Sequence, residues 1–225
     1  MEYKKVTFEE VKNSLEFNTY IKRGNDLLGI AGFTDHSTGH TAKVGQAASE
    51  ILTKLGYSER EAELAQIAGY VHDIGNMVNR IDHAQTGALM AFSTLTAMGM
   101  HPEEIATVVS AIGNHDESTG SAVNPVSAAL IIADKTDVRR SRVRNTDFAT
   151  FDIHDRVNYA VEEALLKIEI KKTKNIIRLV MKIDKNICPV MDYFEIFLGR
   201  MLMCKGAAKF LNSEFQLNIN EAKIL

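Results

Sequence analysis

The chain has 225 residues, 45% hydrophobic and 24% charged, the balance of a folded protein with a sizeable core rather than a disordered or fibrous one. Twenty-six basic against 29 acidic side chains leave a formal charge of −3, which argues against a strongly basic nucleic-acid binder. Two cysteines without CxxC spacing exclude a disulfide framework or a thiolate zinc site and point to a reducing cytoplasm. No apolar run reaches the ~18 residues of a membrane span, and none follows the N-terminal lysines as a signal peptide requires.

Phe8, Val11, Leu15, Tyr20 and Ile21 predict a first amphipathic helix, and the Gly-, Asp-, Ser- and Thr-rich stretch 24–39 a loop. A helix over 41–55 carries Val44, Ala47, Ala48, Ile51 and Leu55 on one face and stops at Gly56. Ser58 with Glu61 matches a capping box that opens a helix to about residue 73, ended by Gly75. Ala62, Ala65, Ala68 and Gly69 make that helix one that packs close to its neighbours. Further helices are predicted over 83–98, from Pro102 to about 113, and from Pro125 to about 138.

After Arg144 the texture changes. Residues 145–155 read as loop, and 159–171 are amphipathic with Val161, Ala164, Leu165 and Ile168 aligned. The β-branched run 176–183 and the alternating 215–219 read as strands on either side of an apolar helix that Pro189 opens and that runs to about 211. That helix is apolar nearly all round, as core or as a homodimer interface, with core the simpler reading. The expected fold is mainly α: a helical bundle over 1–145 with a small α+β appendage over 146–225.

Five of the seven histidines fall within or at the ends of these helices. The pattern is His40, His72-Asp73, His83, His115 and Asp134, a mix of imidazole and carboxylate that suits Fe, Mn, Ni, Co or Zn. A single helical histidine is more often a packed or solvated residue than a ligand, and His-Asp also recurs at 115–116 and 154–155. What distinguishes 72–73 is its setting in Ala68-Gly69-Tyr70-Val71-His72-Asp73-Ile74-Gly75, an apolar helix that would otherwise bury two polar groups without partners. Asp73 is the natural carboxylate to bridge two ions.

The segments His40-Thr41-Ala42-Lys43-Val44, Val71-His72-Asp73-Ile74-Gly75, His83-Ala84-Gln85-Thr86-Gly87-Ala88, Ile112-Gly113-Asn114-His115 and Ile132-Ala133-Asp134 resemble, in order, the HD-domain metal-dependent phosphohydrolases of the HDIG type. The resemblance covers about 36–144. It implies an all-helical catalytic core and hydrolysis of a nucleotide-type phosphoester or phosphoanhydride. It places one divalent transition metal on His40, His72, Asp73 and Asp134, and a second on His83 and His115 with Asp73 bridging. It also implies a metal-bound hydroxide as nucleophile, with His72 and Asp73 central to catalysis. Asn76 stands where many HDIG members carry Lys, which removes a charge near the substrate. The short spacings disfavour the cyclic di-GMP hydrolases and lie closer to ribonuclease Y and the HD-type diadenosine tetraphosphate hydrolases.

His36, four residues before His40, is an accessory candidate, and Asp35 and Asp82 are candidates to orient an imidazole, although Asp82 fits equally as an N-cap. Lys135, Arg139, Arg140, Arg142 and Arg144 crowd the stretch beyond Asp134 as a candidate phosphate-binding cluster, Lys135, Arg139 and Arg140 foremost, with a solvated face or partner contact as the alternative; helical spacing sets Lys135 with Arg139 and Arg140 with Arg144. His101 and His154 read as surface residues, and Cys188 and Cys204 as inert apolar ones. The expected partner is a small phosphorylated or nucleotide substrate, with no membrane and no favoured nucleic acid. Two competing functions are a nucleotide-sensing module without turnover and a ribonuclease-like phosphodiesterase.

Overall fold

The computed structural model describes residues 3–225. The first predicted helix is two: α1 (Phe8–Lys12), opened by a Thr7–Glu10 capping box, and α2 (Leu15–Ile30), opened by Ser14. The helix α2 continues through the stretch expected as loop, with Gly24 packed closely on Asn76 and Met77, where an added Cβ would lie 3.1 Å from Met77 N. Six more helices follow, α3 (Thr38–Lys54), α4 (Glu59–Val71), α5 (His83–Ala97), α6 (Pro102–Gly113), α7 (Pro125–Lys135) and α8 (Ile153–Ala160). Ser58 and Glu61 form the expected capping box of α4, and Pro102 and Pro125 stand at the starts of α6 and α7.

The helices α3 and α4 cross with their backbones in contact. A Cβ on Gly69 would lie 2.6 Å from the Cα of Gly45, so only glycine fits at the crossing. Buried Val44, Ala48, Ile51 and Leu52 of α3 and Ala65, Ile67 and Ala68 of α4 join the wholly buried face of α7, Ala128 to Ile132, in the core. The starts of α3 and α5 and the ends of α4, α6 and α7 carry the candidate ligands.

Residues 161–169 are a strand, β1 (Val161–Glu169), rather than the expected amphipathic run with Leu165 facing inward. Its partly buried Ala164, Leu166 and Ile168 alternate with outer residues, and Leu165 is exposed. Antiparallel pairing with β2 (Asn175–Ile183) supplies the backbone partners, so period two wins over the helical spacing. The predicted apolar helix is α9 (Val190–Phe210), the crossover to a parallel β3 (Ser213–Ile219), followed by a short β4 (Ala222–Lys223). The sheet order is β1-β2-β3-β4. The chain is therefore mainly α with a small C-terminal α+β element, and all-α describes only its first part. Tyr193, Phe197, Met201 and Cys204 of α9 are buried in one core with the residues of α7 and of the sheet. No helix among the described residues is long and apolar enough to cross a membrane.

Candidate metal centre

Five imidazoles are set the same way. His72, His83 and His115 each donate from Nδ1 to the carbonyl three residues back, of Gly69, Arg80 and Ile112, at 2.8, 3.0 and 2.6 Å. His36 donates from Nδ1 to Thr34 O at 2.7 Å, and His40 to the Asp137 carboxylate at 2.8 Å. Each bond fixes the orientation of the ring and directs its Nε2 at Asp73, Asp134 or both.

Asp73 divides these rings between its two oxygens. Its Oδ2 lies 3.2 Å from His72 Nε2, 3.7 Å from His40 Nε2 and 3.9 Å from His36 Nε2. Its Oδ1 lies 3.5 Å from His83 Nε2 and 3.9 Å from His115 Nε2. Asp134 Oδ1 closes the first group, 3.4 Å from His40 and 3.6 Å from His72. Ligand atoms of His40, His72 and Asp134 fall within 4.8 Å of one another, and so do those of His72, Asp73 and His115.

The donor set fits divalent cations. The buried Nε2 atoms of His40 and His72 have no hydrogen-bond partner, a costly state unless an ion occupies the space they face. His83 Nε2 and His115 Nε2 meet at 3.2 Å, two lone pairs with no proton assigned between them. Burial lowers the basicity of His36, His83 and His115, the last to about 3, so these rings stay neutral as ligands must. His72 alone goes the other way: burial disfavours its charge, but Asp73 and Asp134 outweigh it and raise the ring to about 10. Burial would raise both carboxyls, yet His72 beside Asp73, and Lys135 beside Asp134, hold them well below the usual carboxylate range.

Further side chains tune the centre. Asn76, in place of the family's Lys, donates from Nδ2 to Asp73 O at 3.0 Å and Oδ1 at 2.9 Å, and its own Oδ1 accepts from Arg80 Nη1 at 3.3 Å. A charge is thus present one turn later than the resemblance leads one to look. Asp116 Oδ2 lies 3.8 Å from His83 Nε2, and this acid of the second His-Asp pair is not distinguished by its local sequence. Asp137 was equally hidden, inside what reads as a basic stretch. Asp35 accepts from Ser37 Oγ rather than from an imidazole. Asp82 adopts a left-handed conformation and its side chain caps nothing.

The cluster floors a cavity of about 290 Å³. Of the predicted phosphate-binding residues, Lys135 lines it, paired at 2.8 Å with both Asp134 and Glu117. Arg139 and Arg140 do not line it, because α7 ends at Lys135 and helical spacing no longer applies. Arg139 binds Asp137 and Ser141, and Arg140 binds Tyr159 O and stacks over its ring. Of the same cluster Arg142 lines the cavity as well, joined by Arg80 and Arg200 from elsewhere in the chain. His154, expected as a plain surface residue, is exposed and lines it too, whereas His101 N-caps α6. Cys188 and Cys204 are buried and burial pushes both thiols up, consistent with inert residues.

Comparison with known proteins gives the same frame. A family model described as HD domain matches residues 38–140, a span that holds His40, His72, Asp73, His83, His115 and Asp134. An uncharacterized protein of Methanocaldococcus jannaschii, MJ1020, is 26% identical over 186 residues, covering 72% of this chain and 71% of its own. The crystal structure of a predicted HD superfamily hydrolase from an uncultured Thermotogales bacterium is 27% identical, with a TM-score of 0.43 over 55% of this chain and 67% of that one. Residues 38–140 are thus similar to an HD domain, and the rest of the chain lies outside that match.

Proposed function

We propose that the chain is a metal-dependent phosphohydrolase acting on a small nucleotide-type phosphoester or phosphoanhydride. The observation that carries this is the convergence of five Nδ1-anchored imidazoles on the two oxygens of Asp73. In this reading His40, His72, Asp73 and Asp134 hold one divalent transition ion, and His83 and His115 hold a second with Asp73 bridging. Bound ions supply Lewis acidity toward a phosphoryl oxygen and acidify water.

The chain's own residues do the rest. Asn76 holds the Asp73 carboxylate in one orientation, so both oxygens keep their separate groups of partners. Asp137 and four backbone carbonyls anchor the Nδ1 atoms of the five rings. Neutral His36, with Nε2 3.9 Å from Asp73 Oδ2, is placed at the cavity wall to contact a bound substrate. The cavity, about 290 Å³, is at the small end of the range of about 300–1,000 Å³ common for ligand pockets, which favours a small molecule over a polymer.

The test is hydrolysis of nucleotides and generic phosphoesters by purified protein supplied with Mn, Fe, Co or Ni. Turnover is expected, reduced at least about 100-fold by Asp73→Ala, beyond the effect of losing an outer-shell partner. No turnover under any ion, with nucleotide binding retained, would make the chain a sensing module instead.

A further inference from the structure

Two guanidinium groups on the cavity wall have their inner nitrogens anchored and their outer ones free. Arg142 is buried and donates from Nε to Asp35 O and from Nη1 to Asp137 O, both at 3.0 Å. Its Nη2 has no partner among the described residues, and no carboxylate forms an ion pair with it. Arg200, on α9, donates from Nε to Glu117 Oε1 at 3.0 Å and lies over the Phe197 ring, 4.7 Å from its centroid. Both of its Nη atoms lack partners among the described residues. Arg142 and Arg200 line the same cavity as Asp73 and Asp134.

Two guanidinium groups with unused donors in one cavity wall are complementary to an anion. Lys135 does not compete for this role, because Asp134 and Glu117 already take it. The cavity lining carries four Lys and Arg side chains against four Asp, and Glu117, which pairs with Lys135 and Arg200, adds a fifth carboxylate, so two bound divalent ions would leave the wall net positive. Such a wall suits a multiply charged anion. A phosphomonoester offers about two negative charges and three terminal oxygens, enough for the ions and for the guanidinium pair together. A diester offers one terminal oxygen and one charge fewer.

We propose that Arg142 and Arg200 form a cradle for the terminal phosphate of a phosphomonoester, and that the C-terminal α+β element thereby contributes substrate recognition to the HD site. The substrate class rests on the phosphohydrolase reading. The cradle itself does not, since it requires only that phosphate binds.

Arg142 also ties two loops together through its carbonyl contacts, so its loss could unfold the site. Arg200→Gln is the decisive variant, with Arg200→Lys beside it. Binding of inorganic phosphate to the metal-loaded protein is measured by calorimetry, together with metal content and turnover of p-nitrophenyl phosphate and bis(p-nitrophenyl) phosphate. Expected are an unchanged metal content, a phosphate Kd at least about tenfold weaker in Arg200→Gln, and an intermediate Kd in Arg200→Lys, whose ammonium keeps the charge but not the fork. The wild type is expected to prefer the monoester, and Arg200→Gln to narrow that preference. Equal phosphate affinity in wild type and Arg200→Gln, or no phosphate binding at all, would overturn the cradle even if hydrolysis is robust. A wild-type preference for the diester would overturn the substrate class. Phosphate binding that depends on Arg200 without turnover of either ester would leave the cradle standing and remove the hydrolase reading.

Discussion

Asp137 accepts a hydrogen bond from Nδ1 of buried His40 at 2.8 Å, and that one contact turns the other face of the ring toward Asp73 and Asp134. The same carboxylate takes Lys43 at 2.9 Å and Arg139 at 3.0 Å, which with His40 keep it charged against the effect of its own burial. Asp137→Asn keeps the shape and removes the charge that the Nδ1 hydrogen bond of His40 is made to. Metal affinity is expected to fall about 10- to 100-fold, read by titration against a competing chelator. An unchanged affinity would mean that His40 does not need Asp137.

His72 links metal binding to protons. Its ring is raised to about 10 without an ion, so at neutral pH it is an imidazolium, and coordination requires it neutral. Metal uptake should therefore release about one proton, and apparent affinity should rise about tenfold per pH unit between about 7 and 9. The sign for the metal-free fold follows from the same shift. Stabilisation by the charged ring is complete below its ordinary value and is lost as pH rises through about 10. Calorimetry in buffers of different ionisation enthalpy measures the proton, and binding without proton release would refute the linkage.

Gly69→Ala tests the crossing that brings His40 and His72 together. The added methyl would meet the backbone of Gly45 and Val44, which cannot yield as a side-chain tip can. A loss of about 1–3 kcal/mol is expected, or about 2–4 °C in Tm for each kcal/mol in a chain of this size. Chemical and thermal unfolding of the metal-free protein would show it, and wild-type stability would mean the helices part at no cost.

The motif histidines and aspartates were legible because ligand chemistry constrains residue type and spacing along the chain. His40, His72, Asp73, His83, His115 and Asp134 do meet at one end of the bundle, each at or just beyond a helix end. Asp137 was not legible, since a carboxylate three residues past a ligand and next to arginines looks like surface charge. The basic cluster beyond Asp134 is legible as a group but not residue by residue: helical spacing does not hold because α7 stops at Lys135, and Arg142 lines the cavity while Arg139 and Arg140 do not. Arg80 and Arg200 reach the cavity through tertiary packing alone. The strand β1 was missed because its backbone partner, β2, is set by pairing and not by its own apolar pattern. The helix α2 outran expectation at Gly24, a residue that locally reads as a breaker and that packs closely on residues 76–77.

The proposed pair of ions on Asp73 is tested most directly by elemental analysis of metals per chain in the wild type and in His83→Ala, each purified without added metal. About two ions per chain are expected in the wild type and about one in His83→Ala, because His40, His72 and Asp134 keep the first ion while the second loses a ligand facing Asp73 Oδ1 at 3.5 Å. One ion or fewer in the wild type, unchanged by the loss of His83, would contradict it and return His83 and His115 to ordinary packed residues.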